Sequence, residues 1–339
     1  MKKSIFYQFK RLLNKLHYHR ETGKKDIFIF STFRSGSTWL AEIIKSQPKI
    51  KFPISPNKIE FLNNIEDYYK KIKPRPFYIN LSVEEKQVLK DYIKKTSRGE
   101  LVYGRRYTDL FSPHHSFISE RSVFRLLRSS YLLDWFNNNF DIHIIYLFRH
   151  PIAASLSRKK IWENSSNPSY WSPNNDYLLK SDYIRKKYLT SKNIKYLKIK
   201  LKNCNRLEEF VITWCLENLP VIRKIQSLKH RPDFIVLTYE DLLMNPGKVI
   251  SFLCQKLHLA DEEKMLAQLQ IPSSTVRYSD DRTKNNFENR TYDQNYLLKK
   301  WKKEISDETE KSIFAILKKF QIEIYCEGNF IPSRRFLVE

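Results

Sequence analysis

Three short runs of apolar residues constrain the fold of this chain more than any other feature. They are DIFIF (residues 26–30), DIHIIYLF (141–148) and DFIVLTY (233–239). Each run is rich in β-branched or aromatic residues and is continuous rather than alternating, as expected of a strand buried on both faces. A helical pattern of apolar residues follows each run. Repeated strand–loop–helix units of this kind predict an α/β fold, with a central parallel sheet and helices on both of its faces.

The helices that follow these strands begin at recognisable positions. After the first run, Trp39, Leu40 and Ile43 share one face of a helix. Pro151 stands where the first helical residue after the second run is expected, and after the third run Pro246 opens a helix that carries Val249 and Ile250. Ligands of such sheets bind beyond the carboxyl ends of the strands. The loops that join these strands to their helices are therefore the expected location of the active edge.

The loop after the first run has the sequence STFRSGSTW. A strand, a tight turn of Ser, Gly and Thr, and a helix together direct several backbone N–H groups and a positive helix end at one anion. Arg34 adds a guanidinium group, and Ser35, Ser37 and Thr38 add hydroxyl donors. The loop lacks the first glycine and the lysine of the Walker A motif. It therefore predicts a P-loop-like phosphate site that differs from that of nucleotide hydrolases, although Ser and Thr also cap ordinary helices.

A second basic element follows the second run. In the segment IIYLFRHPIAASLSR, Arg149 ends the predicted strand and Ser157 lies about two turns into the next helix. An arginine at a strand end is commonly only solvated. Paired with a serine on the following helix and with the first loop, however, it predicts a clamp for a second, separate phosphate.

These two segments together resemble those of the sulfotransferases that use 3′-phosphoadenosine 5′-phosphosulfate (PAPS). The resemblance implies that the 5′-phosphosulfate end of PAPS is bound by Arg34, Ser35, Gly36, Ser37 and Thr38, and that Trp39 also binds the nucleotide. It implies that Arg149 and Ser157 bind the 3′-phosphate, the group that distinguishes PAPS from ATP. The later segments VLTYEDLLMNPGKVISFLCQKL and NYLLKKWKKEISDETEKSIFAIL also resemble the family. VFRLLRSSYLLDWF and WCLENLPVI favour its carbohydrate sulfotransferases.

The resemblance also implies a mechanism without a metal ion, in which an acceptor hydroxyl attacks sulfur in line with the departing phosphate oxygen. Catalysis then depends on positioning and on donors to the developing charge, a role that suits Arg34. A general base is expected near the acceptor hydroxyl. The glutamate of the family aligns with Ser55 or a neighbour, so Glu60, the nearest carboxylate, is the first candidate for the base. His115, which follows His114 in a polar loop, is the second.

The strong positive charge of the chain indicates anionic partners. Its 339 residues include 61 Lys and Arg against 37 Asp and Glu, a formal charge of +24. A nucleotide, an acidic glycan, an anionic membrane surface or nucleic acid would each be attracted. In the alternative interpretation, the lysines only solvate the surface. We expect PAPS and its product PAP as ligands and a carbohydrate or glycolipid acceptor. The competing hypotheses are an ATP-dependent P-loop kinase and a nucleic-acid-binding protein, although no nucleic-acid module signature occurs.

One sulfotransferase-like domain is predicted over residues 24–330, with a basic helical segment at 1–23 and a tail at 331–339. Residues 160–206 are either an insertion or lid over the active edge or a solvated excursion. The four cysteines are far apart and predict neither a zinc site nor a disulfide scaffold. With no signal-peptide or membrane-spanning pattern, we expect a bacterial cytoplasmic enzyme. Residues 5–16 could either pack on the domain or contact the inner membrane surface.

Overall fold

The computed structural model describes residues 18–53, 68, 71, 77–98, 100, 117–274 and 294–338. The strands are β1 Tyr18–His19, β2 Asp26–Ser31, β3 Ile50–Lys51, β4 Ile118–Ser119, β5 Arg121–Leu127, β6 Ile142–Phe148 and β7 Phe234–Thr238. The helices are α1 Ser37–Lys45, α2 Val83–Ser97, α3 Leu133–Asn139, α4 Pro151–Glu163, α5 Pro168–Trp171, α6 Asn175–Lys180, α7 Asp182–Tyr188, α8 Ser191–Asn203, α9 Arg206–Ile222, α10 Ile225–Lys229, α11 Tyr239–Met244, α12 Pro246–Leu257, α13 Glu262–Leu269, α14 Gln294–Lys299 and α15 Asp307–Lys319.

Five of the strands form one parallel sheet in the order β3-β5-β2-β6-β7. The three strands predicted from the apolar runs are β2, β6 and β7, and they are neighbours in this sheet. From β2 the chain continues to β3 and β5 on one side, and then crosses to β6 and β7 on the other. The loop after β2 therefore lies at the point where the direction of strand addition changes, which is where open α/β sheets bind ligands.

Alternate side chains of the central strand β2 enter two separate hydrophobic cores. Ile27 and Ile29 pack with helices α1, α11, α12 and α13 on one face. Phe28 and Phe30 pack with α4, α9 and α15 on the other. Because both faces of the sheet are covered, β2, β6 and β7 are apolar over most of their length, as buried parallel strands are. The predicted α/β architecture, with helices on both faces of a parallel sheet, is confirmed.

Strand β5 has no counterpart among the predicted strands, because two arginines interrupt its apolar pattern. Both arginines are buried. Arg121 donates hydrogen bonds to the carbonyl oxygens of Lys25 and Leu257, at 2.7 and 2.6 Å. Arg125 donates to Oγ1 of Thr38 in α1. These acceptors lie far away in the sequence, so a local pattern cannot show that the guanidinium groups find hydrogen-bond acceptors inside the fold.

Segments outside the sheet contribute to the core more than their sequences indicate. Within residues 160–206, Leu178, Ile184 and Leu197 are buried in the larger core, which does not fit a solvated excursion. In the predicted C-terminal tail, Phe336 is buried and the N–H of Val338 donates to Asp241 at 2.7 Å. No helix in the described ranges is long and apolar enough to cross a membrane.

The segment at residues 1–23 was predicted to be helical, but its last residues, 18–23, are not helical in the structure. Tyr18 and His19 form strand β1, which pairs in parallel with Ile118 and Ser119 of β4. An extended conformation is preferred at this position because the backbone groups of Tyr18 and Arg20 bond to the chain around β4. Residues 1–17, including the pattern at 5–16, lie outside the described residues.

Candidate active site

The loop that joins β2 to α1 adopts a backbone conformation that few sequences permit. Gly36, the residue before the helix, has φ = 91°, and Arg34 has φ = 65°. A Cβ atom at position 36 would lie 2.6 Å from Cδ2 of Tyr239, so glycine is required both by conformation and by space. Oγ1 of Thr32 and Oγ of Ser35 are 2.7 Å apart and tie the turn together. The loop thus directs the N-terminal end of α1 at the active edge, and the first turn of that helix carries no acidic side chain.

The two basic segments identified from the sequence meet at this loop. Nε of Arg34 donates a hydrogen bond to Oγ of Ser157 at 2.9 Å. Nη1 of Arg149 donates to the carbonyl oxygen of Arg34 at 2.8 Å. The sequence pattern predicted two separate phosphate sites, with Arg34 at one and Arg149 with Ser157 at the other. In the structure the guanidinium group of Arg34 reaches Ser157, so the two candidate sites are contiguous.

Positive charge accumulates at this position. Arg34 is half-buried, and its pKa is lowered to about 10, first by burial and next by the charge of Arg149, with a smaller contribution from Arg125. Arg34 remains a cation at neutral pH. An anion bound among these guanidinium groups would offset both their repulsion and their loss of hydration, which is how arginine clusters recognise phosphate.

Tyr239 is a site residue that the sequence motifs did not single out. It is the first residue after β7, and its ring lies 4.3 Å from the guanidinium carbon of Arg149 and 5.6 Å from the ring of Trp39. Burial raises the pKa of the Tyr239 phenol, so it is neutral at physiological pH. Its ring also contacts the position of Gly36. The sequence could have indicated Tyr239 by its position at the carboxyl end of a predicted strand, which is also the position that indicated Arg149.

A buried carboxylate supports the backbone next to Arg149. Glu240 accepts hydrogen bonds from the N–H of His150, at 2.9 Å, and from the hydroxyl of Tyr325, at 2.7 Å. Burial raises the pKa of Glu240. The ring of His150 stacks on Trp301 at 4.4 Å. Because both oxygens of Glu240 bond to groups of the fold, this residue is structural and fixes the backbone next to Arg149.

The side chains at this edge fit a ligand that carries anionic groups at two positions. Arg149 is half-buried, and its buried Nε has no hydrogen-bond acceptor within the described ranges. Arg34, Ser157 and the start of α1 supply further donors nearby. No group of three or more His, Cys, Asp or Glu side chains that could bind a metal ion occurs among the residues described. Glu60 and His115, the candidates for the general base, lie outside the described residues.

Comparison with known protein families identifies the chain. A family model described as the sulfotransferase domain matches residues 24–320. The chain belongs to the sulfotransferase family. It is therefore a transferase, and PAPS is the donor of the sulfuryl group. The match extends over the sheet, the loop after β2, Arg149 and Ser157, so the family resemblance seen in the two motifs is confirmed.

Several solved structures are similar to this sulfotransferase. The sulfotransferase domain of the Synechococcus PCC 7002 olefin synthase is 17% identical, covers 89% of this chain and 98% of its own, and has a TM-score of 0.44. The sulfotransferase domain from the curacin biosynthetic pathway is 18% identical, with 76% and 81% coverage and a TM-score of 0.41. Mouse sulfotransferase SULT7A1 complexed with PAP is 16% identical, with 79% and 68% coverage and a TM-score of 0.36. No match was found among curated proteins.

Proposed function

We propose that this sulfotransferase transfers the sulfuryl group of PAPS to a hydroxyl group of a carbohydrate, either a glycan or a glycolipid precursor. The convergence of Arg34, Arg149 and Ser157 carries the assignment of the nucleotide site. Two segments that resemble those of carbohydrate sulfotransferases, residues 123–136 and 214–222, support the acceptor class. The first segment extends from strand β5 into helix α3, and the second lies on helix α9; both contribute residues to the core.

In this proposal the two basic segments bind opposite ends of the donor. Arg34 and the N–H groups at the start of α1 stabilise the charge that develops on the sulfuryl and phosphate oxygens. Arg149 and Ser157 bind the 3′-phosphate. The acceptor oxygen forms a bond to sulfur while the bond from sulfur to the phosphate oxygen breaks, and PAP leaves. The hydroxyl proton passes to a base, for which Glu60 and His115 remain the candidates.

A bacterial cytoplasmic location is part of the same proposal, with peripheral contact at the inner membrane surface as one extension. The formal charge of +24 supports the contact with the membrane surface, because anionic lipid headgroups and lipid-linked sugar phosphates both attract basic surfaces. Partition of the protein onto vesicles that contain anionic lipid, but not onto neutral vesicles, would support the membrane contact. Equal partition onto both would contradict it.

The direct test is a transfer assay with radiolabelled PAPS and a panel of hydroxyl acceptors. Sugars, phenols, steroids and a tyrosine peptide are compared at equal concentration. Labelling confined to sugars is expected, whereas labelling confined to another class would overturn the carbohydrate assignment. In parallel, PAP should raise the melting temperature far more than ATP or ADP, because only a ligand that binds the native state stabilises it. Equal shifts would favour an ATP-dependent enzyme.

A further inference from the structure

A cluster of arginine and aromatic side chains lies beside the anion-binding residues. Phe33 precedes Arg34 in the loop, and Arg158 follows Ser157 in α4. The guanidinium carbon of Arg158 lies 4.8 Å from the centre of the Phe33 ring. The two segments therefore meet twice, through Arg34 with Ser157 and through Phe33 with Arg158. Since these contacts involve consecutive residues, the cluster borders the anion site directly.

Arg158 connects helix α4 to the aromatic segment after it. Its side chain is buried, and all three guanidinium nitrogens donate hydrogen bonds. Nε donates to the carbonyl oxygen of Trp171 at 3.0 Å, and Nη2 to that of Ser172 at 2.7 Å. Nη1 donates to the buried carboxylate of Glu217 at 3.2 Å. Although Arg158 follows Ser157 in the phosphate-binding motif, its nitrogens thus bond to residues 171 and 172 and to Glu217, and none is left to bind the nucleotide.

A second arginine bonds to the same segment. Arg128 packs against two rings, with its guanidinium carbon 4.7 Å from the centre of Phe33 and 4.2 Å from that of Tyr170. Its Nη2 donates to the carbonyl oxygen of Tyr170 at 3.1 Å, and its backbone has φ = 58°. Arg128 and Arg158 thus bind three consecutive carbonyl groups, those of residues 170–172. We call this pair the arginine clamp.

The chemistry of the clamp favours a role in geometry over one in stability. Arg158 and Glu217 form a buried ion pair. When both members of such a pair are replaced by apolar residues of similar volume, the effect on stability is often neutral or favourable. Forked guanidinium groups, in contrast, fix the direction of each donor. The segment that they position carries two half-exposed aromatic residues, Tyr170 and Trp171, whose rings are 5.1 Å apart and nearly perpendicular. The ring of Trp171 also lies 5.2 Å from that of Phe33, the residue before Arg34, so these rings lie next to the anion site.

We propose that Tyr170 and Trp171 form an acceptor subsite for a sugar ring, and that Arg128 and Arg158 are positioning residues that fix this subsite relative to Arg34 and Ser157. Aromatic rings offer an apolar face to the C–H side of a pyranose and leave its hydroxyl groups accessible to water. The inference rests on the proposed carbohydrate acceptor. It adds where the sugar binds and how its hydroxyl is brought to a fixed distance from the sulfuryl group.

The test compares the kinetic constants of four variants in the full chain, using PAPS and the best sugar acceptor from the transfer assay. Trp171→Ala is expected to raise the acceptor KM about five- to tenfold and to leave the KM for PAPS within about twofold. Trp171→Phe retains an aromatic face and should keep most of the acceptor affinity. Arg158→Lys keeps a cation near Glu217 but loses the fork to the two carbonyl groups. It should therefore raise the acceptor KM while PAP binding remains unchanged.

Trp135→Ala is the matched control, because Trp135 is another half-buried tryptophan. Its ring packs on Phe136 in α3 and on Phe140, the residue after that helix. It should leave both KM values unchanged. An unchanged acceptor KM in Trp171→Ala, or an equal change in Trp135→Ala, would overturn the subsite while leaving the proposed function intact. Failure of the wild-type enzyme to sulfate any sugar, with transfer to another hydroxyl, would instead overturn the proposed function on which the subsite rests.

Discussion

Nε of Arg34 donates a hydrogen bond to Oγ of Ser157 at 2.9 Å, and these two residues are separated by 123 positions in the sequence. Arg34 lies in the loop after β2, and Ser157 lies in α4, which follows the neighbouring strand β6. The contact joins the two candidate phosphate-binding segments into one site at the carboxyl edge of the sheet. Its consequences for ligand binding can be measured residue by residue.

Removal of the Ser157 hydroxyl should weaken the binding of PAP. Ser157→Ala removes both the partner of Arg34 and the proposed donor to the 3′-phosphate, so we expect the Kd for PAP, from isothermal titration calorimetry, to rise about tenfold. Ser155→Ala is the control on the same helix, since its buried Oγ has no hydrogen-bond partner among the described residues. A Kd that remains at the wild-type value in Ser157→Ala would remove this residue from the site.

Arg149 should discriminate between nucleotides with and without a 3′-phosphate. Arg149→Ala is expected to weaken PAP binding about 10- to 100-fold, because a charged hydrogen-bond donor to phosphate is lost. ADP, which has no 3′-phosphate, should lose less than about threefold. Arg223→Ala, which removes an exposed arginine at the end of α9, controls for the change in net charge. Equal losses for PAP and ADP would instead assign Arg149 to support of the Arg34 backbone.

Replacement of Gly36 should destabilise the folded protein. In Gly36→Ala a Cβ atom would meet the ring of Tyr239 at 2.6 Å, and alanine disfavours φ = 91°. We expect urea unfolding to show a loss of about 2–4 kcal/mol in the free energy of unfolding. Gly247→Ala in α12 is the matched control, because its Cβ would have no atom within 4 Å and helices prefer alanine. A neutral Gly36→Ala variant would show that the loop adopts another conformation.

Acidification should destabilise the protein partly through His150. Burial lowers the pKa of His150 to about 3, whereas an unperturbed histidine in the unfolded chain has a pKa of about 6.5. Between these two values the unfolded chain binds the additional proton. This residue therefore contributes stability that is fully present above pH about 6.5 and decreases by up to about 1.4 kcal/mol per pH unit below it.

His150→Phe should remove that contribution while preserving a ring that stacks on Trp301. Urea unfolding of both proteins at several pH values between about 5 and 7 measures the effect. The free energy of unfolding should depend less steeply on pH in the variant. His143, whose pKa burial lowers to about 4, contributes equally to both proteins and does not affect the difference. Identical slopes would mean that His150 does not lose its proton affinity on folding.

Local sequence patterns were sufficient to predict the strands at the active edge and the loop between them. The runs at β2, β6 and β7 are apolar because both faces of the sheet are covered, and Pro151 and Pro246 begin their helices as predicted. Gly36 and the serines on either side of it are likewise required locally, because they form a tight turn that leads into a helix. Each of these features depends on residues within a few positions of one another. A single sequence therefore carries them.

The tertiary structure alone decided which buried charges and rings meet around that edge. Arg125 bonds to Thr38 across 87 positions, and this distant acceptor allows a strand that contains arginine to lie inside the sheet. Arg158 stands in a phosphate-binding motif, yet its guanidinium bonds to the carbonyl groups of Trp171 and Ser172 and to Glu217. Tyr239 acquires its contacts with Gly36 and Arg149 only when β7 lies beside β6. A guanidinium or aromatic side chain has the same local sequence signature whether it binds a ligand, packs or is solvated, and only the position of distant partners distinguishes these outcomes.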